Sequence, residues 1–282
     1  PTLRRKKEGT ENVFSFSRKG HPSMIKAVIF DVGGTLHTQV KTAESTRRFR
    51  ALVRAVLSRR GILSETDDET LFSAITEGAR RYKQFSEEHL TELDPDVIWQ
   101  DYFLAAPGFD KHLLEGLGEE LCCIFDLEEK EIIPREGLQE TISGLRARGY
   151  RLGILSNVMS RTMVGNVLER HGLSGAFPYV LQSSVCKIRK PDPRIFEICL
   201  HDMGLSKHEV IYVGDTVSRD VRGALAAGWP IIQIDNPLTY HRDTAYRDMG
   251  FHPTYFIHAL PEILPIMDSL RAEESLPSLQ KK

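Results

Sequence analysis

The chain has 282 residues, 41% hydrophobic and 27% charged, with 37 Lys plus Arg against 39 Asp plus Glu. This is the composition of an ordinary globular protein with a large core to bury. A net charge of −2 gives no global attraction to nucleic acid or to an anionic membrane, and no apolar run reaches the roughly 18 residues that suggest a span.

Four cysteines, Cys122, Cys123, Cys186 and Cys199, have no C-x-x-C spacing and form no Cys/His zinc pattern. They read as buried thiols of an intracellular protein, so a cytoplasmic location is expected. Residues 1–23 include Arg4, Arg5, Lys6 and Lys7 but no apolar stretch like that of a secretory signal. They read as a disordered basic arm.

Folded patterning begins at Met24. Ile25 to Phe30 is an apolar run that ends at Asp31 with glycines behind it, which predicts a buried strand of a parallel sheet. From about 40 to 130 the patterning is helical. Phe49, Leu52, Val53, Val56 and Leu57 fall on one helical face, with Gly61 as a stop. Thr66 and Glu69 form a capping-box pattern ahead of Leu71, Phe72, Ile75, Ala79 and Tyr82. Asp94-Pro95 opens the segment carrying Trp99 and Phe103, and Leu113, Leu114, Leu117, Leu121 and Ile124 predict one more amphipathic helix.

From Pro134 onward short strands and helices alternate. Strands are expected at 152–155, 179–181, 210–213 and 231–234. The helices between them carry Leu138 to Leu145, Met163 to Leu168, Ile195 to Cys199 and Val221 to Ala227. Such alternation means βαβ units. The fold expected is α/β: a Rossmann-like parallel sheet with helices on both faces, built from 24–39 and 131–270. An all-helical domain at 40–130 is inserted after the first strand, and 271–282 reads as a disordered tail.

Ligand sites in open α/β sheets gather beyond the carboxyl ends of the strands. Four motifs stand there in order: Asp31-Val32-Gly33-Gly34-Thr35, Ser156-Asn157, Lys190-Pro191-Asp192-Pro193, and Gly214-Asp215 with Asp220 behind it. Each alone is commonplace; a strand-end Asp is often just a helix cap. As an ordered set they resemble the haloacid dehalogenase superfamily, whose pattern is D-x-D-G-T-L, a strand-end Ser or Thr, a Lys, and G-D-x-x-x-D or G-D-x-x-x-x-D. The helical insertion looks like that family's C1-type cap.

The resemblance implies a hydrolase, foremost a phosphatase acting on a small phosphorylated metabolite, with no nucleic-acid or membrane partner. Asp31 would be the nucleophile, giving an aspartyl-phosphate that water hydrolyses. Mg²⁺ would be held by Asp31, Asp215, Asp220 and the Gly33 carbonyl, cancelling the repulsion between carboxylate and phosphate. Lys190 and Ser156 would hold the phosphate oxygens, with Gly34, Thr35 and Asn157 also binding substrate.

One position departs from the family's phosphatases. Gly33 stands where they carry a second Asp as acid and base, a loss that typically costs about 10²–10⁴ in rate. Three readings follow: a phosphatase that needs a good leaving group or borrows an acid–base elsewhere, a dehalogenase or phosphonate-cleaving enzyme, or a non-catalytic ligand-binding member. The family's dehalogenases lack the metal-binding Gly-Asp, which this chain retains. His37 is close enough in sequence to be considered as a borrowed acid–base, although a histidine without a role is the simpler expectation. Lys187 replaces a common Gly and could contact phosphate or be solvated, and Arg189 reads as a surface residue.

Overall fold

The computed structural model describes residues 24–62, 67–105 and 108–275; the proposed basic arm lies outside them. In chain order the elements begin with β1 (Ala27–Phe30), β2 (His37–Val40), α1 (Ala43–Ser58), α2 (Asp68–His89), α3 (Pro95–Ile98), α4 (Gly118–Glu128), β3 (Glu131–Pro134) and α5 (Leu138–Ala147). They continue with β4 (Arg151–Ser156), α6 (Met163–Arg170), β5 (Tyr179–Gln182), α7 (Ser183–Cys186), α8 (Pro193–Met203), β6 (Val210–Gly214) and α9 (Arg222–Ala226). The last are β7 (Ile231–Ile234), α10 (Tyr240–Asp248), β8 (Tyr255–Ile257) and α11 (Ile263–Ser275).

Six strands form one parallel sheet in the order β5-β4-β1-β6-β7-β8. All four residues of β1 are buried because it has a strand on each side and helices over both faces, so no alternation survives in its sequence. Its side chains still alternate in space. Val28 and Phe30 join one core with Ile154 and Val213, while Ala27 and Ile29 join the opposite core with Phe196, Tyr212 and Trp229. The short edge strand β8 was not foreseen.

A two-stranded antiparallel ribbon, β2 with β3, carries the chain out to the helical block and back, pairing His37 with Pro134 and Val40 with Glu131. The block has a core of its own, built from residues such as Phe49, Val53, Leu71, Ile75, Trp99, Phe103 and Leu121.

Several expectations need correction. Leu113 to Ile124 do not form one helix: a turn at Lys111–Leu114 is separated from α4 by Gly116, which has φ +78°. The Asp96 carboxylate caps the new start, accepting from Gly116 N at 3.0 Å and Gly118 N at 2.8 Å. Thr66 lies outside the described residues, and α2 is capped by Asp67, which accepts from Thr70 N at 2.8 Å. Helix α11 runs to Ser275, into the stretch expected to be tail, while 276–282 lie outside the description. Arg189 is not a surface residue. It is buried against Glu92 of the helical block, a carboxylate 1% exposed that also accepts from the Ser183 hydroxyl at 2.6 Å. A carboxylate that deep requires a cation, and this one comes from the other side of the molecule.

Candidate functional site

Strands β4, β1 and β6 are neighbours, so their carboxyl ends bring Ser156, Asp31 and Asp215 together. Asp31 follows β1 directly, and its N–H donates to Val213 O at 2.9 Å. Its Oδ1 accepts from Ser156 Oγ at 2.7 Å and lies 2.9 Å from Lys190 Nζ. The Lys190 ammonium also reaches Asp220 Oδ1 at 2.7 Å and the Tyr212 hydroxyl at 2.6 Å. All three of its donors are thereby engaged. Burial, then the charge of Asp220, keeps the Tyr212 phenol protonated.

Both oxygens of Asp220 are occupied: Oδ2 accepts from Thr216 N at 3.0 Å and Thr216 Oγ1 at 2.6 Å. Burial works against its charge, but Lys190 and Arg219 hold its carboxyl down at about 2. Asp215 is different. Its Oδ2 accepts from Asn236 Nδ2 at 2.7 Å, while Oδ1 is buried with no partner. Burial, with the charges of Asp220 and Asp31, pushes its carboxyl up to about 7. Asp31, Asp215 and Asp220 each offer an oxygen, and the three atoms lie within 4.8 Å of one another. Three clustered carboxylates with one orphaned oxygen fit a hard divalent cation, which takes oxygen ligands. Because Asp220 is saturated, Asp31 and Asp215 are the better placed of the three to bind one directly.

The turn after Asp31 must pass very close to this cluster. Gly34 has φ +85°, and a Cβ there would lie 2.2 Å from Asp215 Oδ2, so only glycine fits. At Gly33 a Cβ would meet nothing nearer than Gln39 Nε2 at 3.9 Å. Gly33, Gly34, Asp31 and Asp215 line a cavity of about 390 Å³ between the sheet end and the helical block. From the block come Lys83 of α2, Phe125 and Asp126 of α4, and the following Glu129 and Lys130.

Some expected site residues do other work. The Asn157 side chain brackets the Lys190 backbone, accepting from its N–H at 2.9 Å and donating to its carbonyl at 3.0 Å, so it positions Lys190 while also lining the cavity. The N–H groups of Gly34 and Thr35 donate to His37 O and Val32 O at 2.8 and 3.2 Å, closing the turn. Thr35 is fully buried and is not part of the cavity wall. His37 is also buried, with Nδ1 3.3 Å from His171 Nε2 and no place in the cavity wall. Burial, then His171 and Arg135, lowers its pKa to about 3, so it is not the borrowed acid. Lys187 sits at φ +64°, which explains a glycine at that position, and its Nζ pairs with Asp94 at 2.9 Å outside the cavity.

A model of haloacid dehalogenase-like hydrolases matches residues 25–228. The chain belongs to that family. It is 28% identical to the glyceraldehyde 3-phosphate phosphatase of Methanopyrus kandleri over 228 residues, 80% of this chain and 88% of the relative. It is 27% identical to the phosphoglycolate phosphatase of Thiobacillus denitrificans over 224 residues, 79% and 88% of the two chains. Among solved structures it is similar to a HAD phosphatase from Thermococcus onnurineus, with a TM-score of 0.58, 25% identity, and 86% and 98% of the chains covered. The 2-haloacid dehalogenase from Pseudomonas syringae shares the fold, with a TM-score of 0.60 at 23% identity over 87% and 99% of the chains. Among the described residues no helix is long and apolar enough to cross a membrane.

Sequence reasoning missed Asn236, Tyr212, Arg219, Arg242 and Asp126 in this haloacid dehalogenase-like site. Arg219 alone carried a signal, lying between Asp215 and Asp220. The others are set by which helix or strand packs nearby, and no spacing in the chain reports that.

Proposed function

We propose that this hydrolase is a Mg²⁺-dependent phosphatase of a small phosphorylated metabolite, with Asp31 as nucleophile and residues 40–130 as a cap over the sheet end. The observation that carries this reading is the orphaned, buried Oδ1 of Asp215 beside Asp31 and Asp220. Carbon–halogen displacement has no need of such a carboxylate set, whereas a phosphate attacked by a carboxylate does. The relatives named as phosphatases support the same choice.

Asp31 and Asp215 would hold the ion, with the Gly33 carbonyl available at the cavity wall and Asp220 acting through Lys190 and Thr216. Mg²⁺ supplies charge neutralisation of the phosphate and of the attacking carboxylate. Ser156 and Lys190 fix the Asp31 carboxylate and, from the same positions, can reach the oxygens of a phosphate bound to it. The attack leaves an aspartyl-phosphate on Asp31, which water then hydrolyses.

The acid missing at Gly33 has a replacement in the cavity. Asp126 lines it from the cap, where burial pushes its carboxyl up to about 7 against the N–H groups of Ser160 and Met159, which donate to Oδ2 at 3.1 Å. A group that holds a proton near neutrality suits general acid catalysis.

The test is hydrolysis of p-nitrophenyl phosphate with Mg²⁺ and with EDTA, for the native chain, Asp31→Asn and Asp126→Asn. Activity that requires both Mg²⁺ and Asp31 is expected. Asp126→Asn should lose little on this good leaving group and much more on an alkyl phosphate. Equal activity in the native chain and Asp31→Asn would end the phosphatase reading.

A further inference from the structure

The cavity holds more positive charge than the transfer site itself uses. Lys190 is occupied by Asp31 and Asp220, and Lys130 leans on Glu129 at 3.6 Å. Three further cations line the wall: Lys83 from the cap, Arg219 from the turn Val217–Val221, and Arg242 from α10. Among the described residues, neither Lys83 nor Arg219 has a carboxylate within 4.0 Å. Among the described carboxylates Arg242 has only Asp243, with Nε 3.9 Å from Oδ1, and that carboxylate already accepts from Val217 N at 2.9 Å and Ser218 N at 3.1 Å. The Arg242 Nε is sealed from solvent and has no hydrogen-bond acceptor.

The two guanidiniums are near enough to oppose each other's charge. Against burial, Asp220, then Asp215, Asp31 and last Glu87 favour the charge of Arg219, whereas burial and Arg219 work against that of Arg242 more than Asp243, Asp215 and Glu87 support it. Lys83 of α2 lines the same cavity as the arginine pair. A buried guanidinium donor without an acceptor is costly to hold unless an anion completes it.

We propose that Lys83, Arg219 and Arg242 bind a second anionic group of the substrate, a carboxylate or a second phosphate, a short carbon chain away from the phosphoryl group that is transferred. The substrate class is therefore a small phosphate monoester with a negatively charged tail. This rests on the phosphatase reading for its reaction but is testable by binding alone. Arg219 and Arg242 come from the sheet domain and Lys83 from the cap, so the tail would also hold the two together.

The experiment measures Kd by calorimetry, at saturating Mg²⁺, for three non-hydrolysable probes: ethylphosphonate, phosphonoacetate and ethane-1,2-diphosphonate. The native chain should bind at least one of the two charged-tail probes about 10-fold or more tightly than ethylphosphonate. The tighter of the two identifies the tail as carboxylate or phosphate. Lys83→Gln and Arg242→Gln should each draw that ratio towards one. Circular dichroism would confirm that the variants are folded, as expected where Lys83 is exposed and the Arg242 Nε makes no hydrogen bond to lose. Equal affinity for all three probes, no binding of any, or a ratio that survives both substitutions would overturn the inference. Turnover of p-nitrophenyl phosphate by the native chain and Asp31→Asn judges the phosphatase reading separately.

Discussion

The end of the parallel sheet and the helical block face each other across one cavity, but they hold their polar side chains in opposite ways. At the sheet end the nucleophile's network is locked: Asp31, Lys190 and Asp220 are nearly buried and bonded to one another, to Ser156 and to Tyr212, while Asp215 keeps one oxygen open. On the block, Lys83 is exposed and lines the wall with no carboxylate partner among the described residues. The contrast separates preorganisation from selection. A reacting carboxylate must be held before substrate arrives, whereas a side chain that reads the substrate can be completed by it.

Breaking the locked side should have the largest effect. Lys190→Met leaves Asp31 and Asp220 buried without their shared cation. It should cost about 3–5 kcal/mol in urea unfolding and about 10²–10³ in kcat. An unchanged unfolding midpoint would show that the network is not held by charge. Arg189→Met breaks the buried pair with Glu92 that ties block to sheet domain, and should cost about 3 kcal/mol by the same measurement. Loss confined to kcat, with stability intact, would instead make that pair a control on the position of the helical block.

Restoring the missing acid sharpens the comparison from the other direction. Gly33 has a negative φ, and a Cβ there has room, so Gly33→Asp should fold normally. In an Asp126→Asn background it should raise kcat/KM on alkyl phosphates by about 10-fold or more while changing p-nitrophenyl phosphate hydrolysis little. No gain on alkyl esters in that background would mean that a carboxylate at position 33 does not reach the leaving group. A pH-dependent effect belongs to the ribbon between the regions. His37 stays neutral in the fold down to about pH 3, while an unfolded chain protonates it near 6.5. The unfolded state therefore binds the extra proton, and stability falls as pH drops from about 6.5 towards 3, by up to about 1.4 kcal/mol per unit. His37→Phe should flatten that slope in unfolding measured between pH 6.5 and 4.

The strand ends were legible because a parallel sheet fixes where a reacting residue can stand. Asp31, Ser156 and Asp215 follow or close short apolar runs, and the sheet order then makes them neighbours. The roles of Asn157 and Thr35 were not legible. That a strand-end amide brackets the Lys190 backbone as well as facing the cavity depends on a loop 33 residues further on, and sequence spacing carries no such distance. His37 illustrates the same limit, since only its packing against His171 removes it from the chemistry.

The sequence by itself determined the alternation of strands and helices, the inserted helical block and the order of the four motifs, because these follow from hydrophobic periodicity and from residue types at element ends. Only the tertiary structure decided which polar groups are already satisfied and which are left open. Asp220 is saturated, Asp215 keeps one orphaned oxygen, and Arg242 keeps one orphaned donor. Hydrogen-bond satisfaction depends on distances between residues far apart in the chain, and those distances exist only once the chain has folded.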